Sequence, residues 1–324
     1  MKPPFERIAV LGLGLLGGSV ALAARRAGLA LRIAAAGRRR APLEQALRSG
    51  VVDEIGDVAS AVTGADLVVL CSPVGAMPGL LEAAAPHLSP GALVTDVGSV
   101  KGILADRLPG LLPTGVSYVG AHPMAGSHRS GVAHASADLF DGACCVVTPG
   151  AGADAASVER VVAFWRALGA HVTRRSAADH DVDVAWVSHA PHALAFAFAH
   201  ALAQAPTTAG ELAGSGFRDF TRIARSDGEM WSEILDANRK ALAGPLHAFS
   251  RSLAELAQAI EAGDVDSQER FLTQARRALS ETTDRSASSR SRAACENARS
   301  GGEDPEIPTG HEPVTLGVSK NTNE

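Results

Sequence analysis

The chain has 324 residues, 46% hydrophobic and 20% charged, with 30 basic against 35 acidic side chains and a formal net charge of −5. This is the make-up of a globular protein long enough for two domains, and it argues against nucleic acid or an anionic membrane as a partner. No apolar run approaches the roughly 20 residues of a membrane-spanning helix.

The N-terminal segment MKPPFERIAVLG has no apolar signal core. The four cysteines (Cys71, Cys144, Cys145, Cys295) lack metal-type spacing and two are adjacent, so a disulfide framework is not expected. A reduced, cytoplasmic setting is expected instead.

Residues 7–12 (RIAVLG) read as a strand followed by an alanine-rich helix to about Gly28. Further strands are expected at 31–37, 65–73, 91–99, 116–122 and 142–149. They are nearly continuous apolar runs, the pattern of parallel strands covered on both faces. Strand and helix alternating in this way predict an α/β fold, an N-terminal Rossmann-type doubly wound sheet. After about Ala177 the pattern becomes helical, and an all-α domain is expected to follow. From Asp284 the chain is rich in Ser, Arg, Gly, Pro and Asn with no periodic apolar face, which predicts a disordered tail. The expected boundaries are 1–176 for the dinucleotide-binding domain, 177–283 for a helical substrate and dimerisation domain, and 284–324 for the tail.

VLGLGLLGGS places Gly12, Gly14 and Gly17 in G-x-G-x-x-G spacing, with Leu15 and Leu16 between them, after a strand and opening a helix. The first glycine permits a tight turn, the second lets a pyrophosphate approach the backbone, and the third allows close helix–sheet packing. About 20 residues on, where NAD enzymes carry an acidic residue for the ribose, stands Gly37, followed by Arg38, Arg39 and Arg40. With no carboxylate to repel a 2′-phosphate and guanidinium groups to grip it, NADP is expected over NAD, with NAD as the alternative. Only four residues are lysine, so GRRR could also reflect an arginine-rich composition on a solvated loop. The next strand ends in Cys71, Ser72 and Pro73, expected beside the cofactor.

Ligands of such a sheet lie outside the carboxyl ends of its strands. DVGSVK and GAHPMAG end two of them and aim Ser99 and His122 at the cofactor. Pro123 holds His122 in extended backbone, and an imidazole near neutral pKa suits the proton side of an alcohol oxidation. In the helical half, His189 and His192 share a helix face, and Arg222 lies in FRDFTRIARSD. Each has a plain alternative, a structural histidine or a surface salt bridge. A metal would need a third ligand on the histidine face. His180, nine residues from His189, points the other way, so no metal is expected.

GLGLLGGS, CSPV, TDVGSVK, HPMAGS, ADLF, HDVDVAWVSHAPH and GSGFRDFTRIARSDGEMW together resemble the TyrA family, the prephenate and arogenate dehydrogenases of tyrosine biosynthesis, in order from about residue 7 to 283. The resemblance implies oxidation at the ring carbon bearing the hydroxyl, hydride transfer to NADP or NAD, and loss of the ring carboxylate as carbon dioxide. It implies His122 as the catalytic histidine, Ser99 as the serine holding hydroxyl and nicotinamide, and Arg222 as the substrate-binding arginine. His189 and His192 map to the substrate side, with His192 favoured as the contact, and the helical half is implied to form a homodimer. Many relatives carry an acidic residue and a lysine where this chain has His128 and Arg129, which puts any gating contact there in doubt. The tail is too short and polar for a regulatory ACT domain. Two rivals fare worse. 3-Hydroxyacid dehydrogenases use G-x-x-x-K-x-x-x-N, which none of the lysines satisfies, and a non-catalytic NADP sensor would not need Ser99, His122 and Arg222. Between the substrates, a donor at His192 inclines toward prephenate over arogenate.

Overall fold

Alternate residues of the first strand, β1 (Phe5–Leu11), enter two different cores: Ile8 and Val10 pack on one side, Ala9 and Leu11 on the other. β2 (Ala30–Ala36), β4 (Leu67–Leu70) and β5 (Leu93–Asp96) divide their side chains the same way. A strand covered on both faces must be apolar at every position, which explains the unbroken runs in the sequence. These relationships come from a computed structural model. It describes the backbone of residues 3–126, 129, 131–150 and 152–300, and the side chains of all these but Thr207 and 283–300.

With β3 (Glu54–Gly56), β6 (Ser117–Pro123), β7 (Cys144–Pro149) and β8 (His171–Arg174), the sheet has eight strands in the order β3-β2-β1-β4-β5-β6-β7-β8. The first six form the dinucleotide-binding arrangement. Helices α1 (Leu15–Arg26), α2 (Arg40–Arg48) and α6 (Ala155–Ala167) cover one face, and α3 (Val58–Val62), α4 (Met77–Ala84) and α5 (Gly102–Arg107) the other.

β7 departs from the expected parallel series, because it runs antiparallel to β6. The segment between them holds only a single 3₁₀ turn, Val132–His134, among its described residues. A parallel return usually runs through a crossover helix, and the described residues of this connection hold none. β3 and β8 were not expected at all. Each is a short outer strand, and neither EIG nor HVTR offers a long apolar run.

The remainder of the described chain is helical: α7 (Ala177–Val184), a π-turn (Ala185–His189), α8 (Ala190–Ala201), α9 (Ser215–Thr221), α10 (Gly228–Ala237), α11 (Arg239–Glu261) and α12 (Val265–Ser300). The expected tail boundary at Asp284 falls inside α12. No glycine or proline occurs from 264 to 300, and alanine and arginine favour helix even without an apolar face. Residues 301–324 of the expected tail lie outside the described residues. Val100, beyond β5, packs with Trp231 and Ile234 of α10, so the two halves share a small core.

Candidate active site

Backbone crowding dictates the turn after β1. Gly12 has φ +104°, and a Cβ there would come within 2.7 Å of the Cys71 carbonyl group. A Cβ on Gly17 would lie 2.1 Å from the Gly12 carbonyl oxygen, so the third glycine is needed for helix–turn packing. At Gly14, the residue preceding α1, the same position meets nothing within 4 Å. Open space beside the backbone at a helix start fits a pyrophosphate, which N–H groups there can bind.

A cleft of about 650 Å³ opens at this turn, lined by Gly12, Gly14, Gly37, Arg38, Arg39, Cys71, Ser72 and Pro73. Leu15, Leu16 and Gly17 do not line it: the leucines lie half-buried in the first turn of α1, and Gly17 is buried beneath Gly12. Arg40 is paired with Glu44 at 2.9 Å, whereas Arg38 and Arg39 are exposed and make no ion pair with any described residue. Asp57 also lines the cleft. Its Oδ1 accepts from Ser60 N at 2.8 Å and from Ser60 Oγ at 2.6 Å, which holds its carboxyl below the usual range. Burial, reinforced by the Asp96 carboxylate, pushes the Cys71 thiol up, so Cys71 is a neutral wall of the cleft rather than a nucleophile.

His122 is the penultimate residue of β6, facing Val146 of β7, and is 8% exposed. Its Nδ1 lies 2.8 Å from Nε2 of His180, whose Nδ1 lies 2.8 Å from Oδ1 of Asp181. Burial above all pushes the pKa of His122 well below 6.5, which keeps the ring neutral and leaves one ring nitrogen with a lone pair. Ser99 is half-buried, three residues beyond the end of β5.

Beneath both lies a polar knot. Asp96 Oδ1 accepts from Tyr118 Oη at 2.9 Å and from Ala121 N at 3.1 Å, and its Oδ2 accepts from Gly98 N at 2.8 Å and from Lys101 Nζ. Lys101 Nζ also donates to the Ala121 carbonyl at 2.7 Å. Lys101 and Asp96 are both buried. Burial lowers the lysine amine while the carboxylate opposes the shift, and burial raises the Tyr118 hydroxyl. Such a pair is costly to desolvate and is held by its full set of hydrogen bonds. Here it ties residues 96–101, which carry Ser99, to the strand that carries His122.

The helical half brings the remaining residues. His189, at the end of the π-turn, is fully buried with its Nδ1 2.9 Å from Asn238 Nδ2. Burial, partly opposed by Asp181, lowers its pKa to about 4. His192 is half-buried, and its Nδ1 donates to the Ser188 carbonyl at 2.8 Å. Both rings meet Trp231, as the shared helix face predicts. Arg222 is exposed at the start of a 3₁₀ turn after α9, and its charge joins burial in lowering the pKa of His192. Lys101, His180, Asp181, Trp231 and Asn238 were missed from sequence. His180 and Asp181 form a His-Asp pair just ahead of the SHAPH helix start, which was the available signal. His128 lies outside the described residues.

A strand order with this glycine turn at β1, and a neutral histidine at the end of β6, is that of an NAD(P)-dependent oxidoreductase with a helical second domain. Comparison with known proteins narrows the class. Residues 20–174 match the family described as prephenate dehydrogenase, nucleotide-binding domain, and residues 176–274 match prephenate dehydrogenase, dimerization domain. The chain is 33% identical to the prephenate dehydrogenase of Bacillus subtilis over 276 residues, covering 84% of this chain and 74% of that one. It is 32% identical to the cyclohexadienyl dehydrogenase of Zymomonas mobilis, covering 81% and 91%. Among solved structures, the Aquifex aeolicus prephenate dehydrogenase in complex with hydroxyphenyl propionate and NAD+ superposes with a TM-score of 0.79 at 31% identity, covering 86% and 98%. The Synechocystis arogenate dehydrogenase gives 0.72 at 32%, covering 85% and 99%. The chain belongs to the prephenate dehydrogenase family.

Proposed function

We propose that the chain oxidatively decarboxylates prephenate to 4-hydroxyphenylpyruvate, with NADP as the hydride acceptor. The observation that carries this is the placement of His122, fixed at the carboxyl end of β6 on the cofactor side of the sheet with its Nδ1 against His180. Held at the glycine turn with Arg38 and Arg39 beside it, the cofactor would supply the acceptor for the hydride of the ring carbon bearing the hydroxyl. His122 accepts the hydroxyl proton through Nε2, and Ser99 holds the hydroxyl. The C–COO⁻ bond then breaks, its electron pair entering the ring as it aromatises, and the proton returns to the phenolic oxygen. The step is balanced with carbon dioxide, reduced cofactor and the phenol as products. Arg222 pairs with a substrate carboxylate, His192 contacts the side-chain end, and His189 supports that surface from behind.

Arg38 and Arg39, exposed on the cleft wall with no described carboxylate pairing with them, support NADP over NAD. Exposed Trp186, Phe198, Phe217, Phe220, Phe249 and Leu253 on the helical half support a homodimer. A second substrate, arogenate, has support from His192, contrary to the lean toward prephenate expected of a donor at that position. Its Nδ1–H is spent on Ser188, so the neutral ring offers a lone pair at Nε2, which suits an ammonium better than a keto oxygen.

Initial rates with prephenate or arogenate, each with NADP or NAD, test the function. Turnover is expected with prephenate and NADP. Background rates in all four combinations, from a folded protein that binds NADP, would overturn it.

A further inference from the structure

Asp181 belongs to α7, yet it completes the start of α5. No side chain of α5 or of Lys101 caps that helix. Asp181 does so from the other half of the molecule, its Oδ1 accepting from Lys101 N at 2.7 Å and its Oδ2 from Gly102 N at 2.8 Å. A Cβ on Gly102 would sit 2.8 Å from that same Oδ2, so the approach depends on glycine there. The Asp181 carbonyl accepts from Asn238 Nδ2 at 2.8 Å, which anchors the residue to the segment joining α10 and α11. Both carboxylate oxygens and the backbone of Asp181 are therefore fixed.

The protonation pattern follows from this placement. Asp181 Oδ1 can only accept, so Nδ1 of His180 carries the proton it donates. With Nδ1 as the donor to Asp181, Nε2 of His180 is the nitrogen left to accept, and it accepts from Nδ1–H of His122. His122 is left with its lone pair on Nε2, the tautomer a base requires. His180 is 1% exposed, so water does not compete for either of its nitrogens.

We propose that His180 and Asp181 are positioning residues for proton transfer at His122, fixing both the orientation and the tautomer of its ring. They act through His122 and touch neither substrate nor cofactor. The base stands on the dinucleotide-binding half while its orientation comes from the helical half, so it is set only when α7 is docked against β6 and α5. The inference rests on the proposed role of His122, and it goes beyond that role by naming what makes this imidazole an acceptor.

The test compares His180→Leu, which cannot accept from Nδ1–H, with His180→Gln, whose amide oxygen can. His122→Asn serves as the control. For His180→Leu, kcat is expected to fall about 30-fold or more, with KM for substrate and NADP within about threefold of wild type. His180→Gln is expected to recover at least about fivefold of that loss. If His180→Leu does not fold, His180→Gln decides alone: a kcat lowered about three- to tenfold at unchanged KM supports the role, and an unchanged kcat overturns it. A His180→Leu enzyme within twofold of wild-type kcat overturns it too. So does a loss of turnover in both variants that tracks a loss of NADP affinity, since that marks a structural role only. A His122→Asn enzyme that keeps near-normal turnover removes the base itself, and so separates failure of the proposed function from failure of the positioning role.

Discussion

The imidazole of His192 lies flat on the indole of Trp231, with ring centroids 3.8 Å apart and planes inclined by 19°. Trp231 in turn packs against Val100, the residue after Ser99. The ring proposed to meet the substrate's side chain and the serine proposed to hold its hydroxyl thus share one support.

That coupling makes Trp231 a determinant of substrate affinity. Aromatic stacking contributes about 0.5–1.5 kcal/mol beyond area burial, and Trp231→Leu also frees the His192 ring to leave its productive orientation. Substrate KM is expected to rise about tenfold in steady-state assays, while KM for NADP stays within twofold. Equal effects on both would show that Trp231 supports the fold alone.

Cofactor choice is expected to reside in Arg38 and Arg39. A hydrogen bond to a charged group is worth about 1.5–3 kcal/mol, so the double variant Arg38→Ala/Arg39→Ala should raise KM for NADP by at least about tenfold and leave KM for NAD nearly unchanged. Losing both equally would show that the arginines do not read the 2′-phosphate.

Much of the cofactor end was legible in the sequence, because its chemistry is local: three glycines, a strand before and a helix after all lie within residues 5–26. The catalytic support was not. His180 was set aside because it does not share a helix face with His189, but its partner His122 is 58 residues away on β6. Lys101 and Asp96 are only five residues apart, yet what buries them and what they tie down, Tyr118 and Ala121, belongs to a neighbouring strand. Spacing within one element reports periodicity, whereas these contacts depend on which strands become neighbours. The reversal of β7 was hidden for the same reason, since an apolar run has no direction.

Acid should weaken the fold through its buried histidines. The pKa of His189 in the folded protein is about 4, below its ordinary 6.5. Above pH 6.5 the ring is neutral in both states and the stability is fully present. As pH falls below 6.5 the unfolded chain gains a proton that the folded chain does not, so stability is lost down to about pH 4. At 1.36 kcal/mol per pKa unit the loss is on the order of 3 kcal/mol, and His122 adds to it with the same sign. Tm measured from pH 7 to pH 4.5 should fall less steeply for His189→Gln than for the wild type, and parallel curves would contradict the assignment.

The most direct test of the proposed chemistry is the turnover of His122→Asn beside its affinity for NADP. Asparagine keeps the size and polarity of the site but cannot take the hydroxyl proton. A kcat lower by about a thousandfold, with NADP Kd within about threefold of wild type, is the predicted result. A kcat within tenfold of wild type would contradict the assignment of His122 as the base.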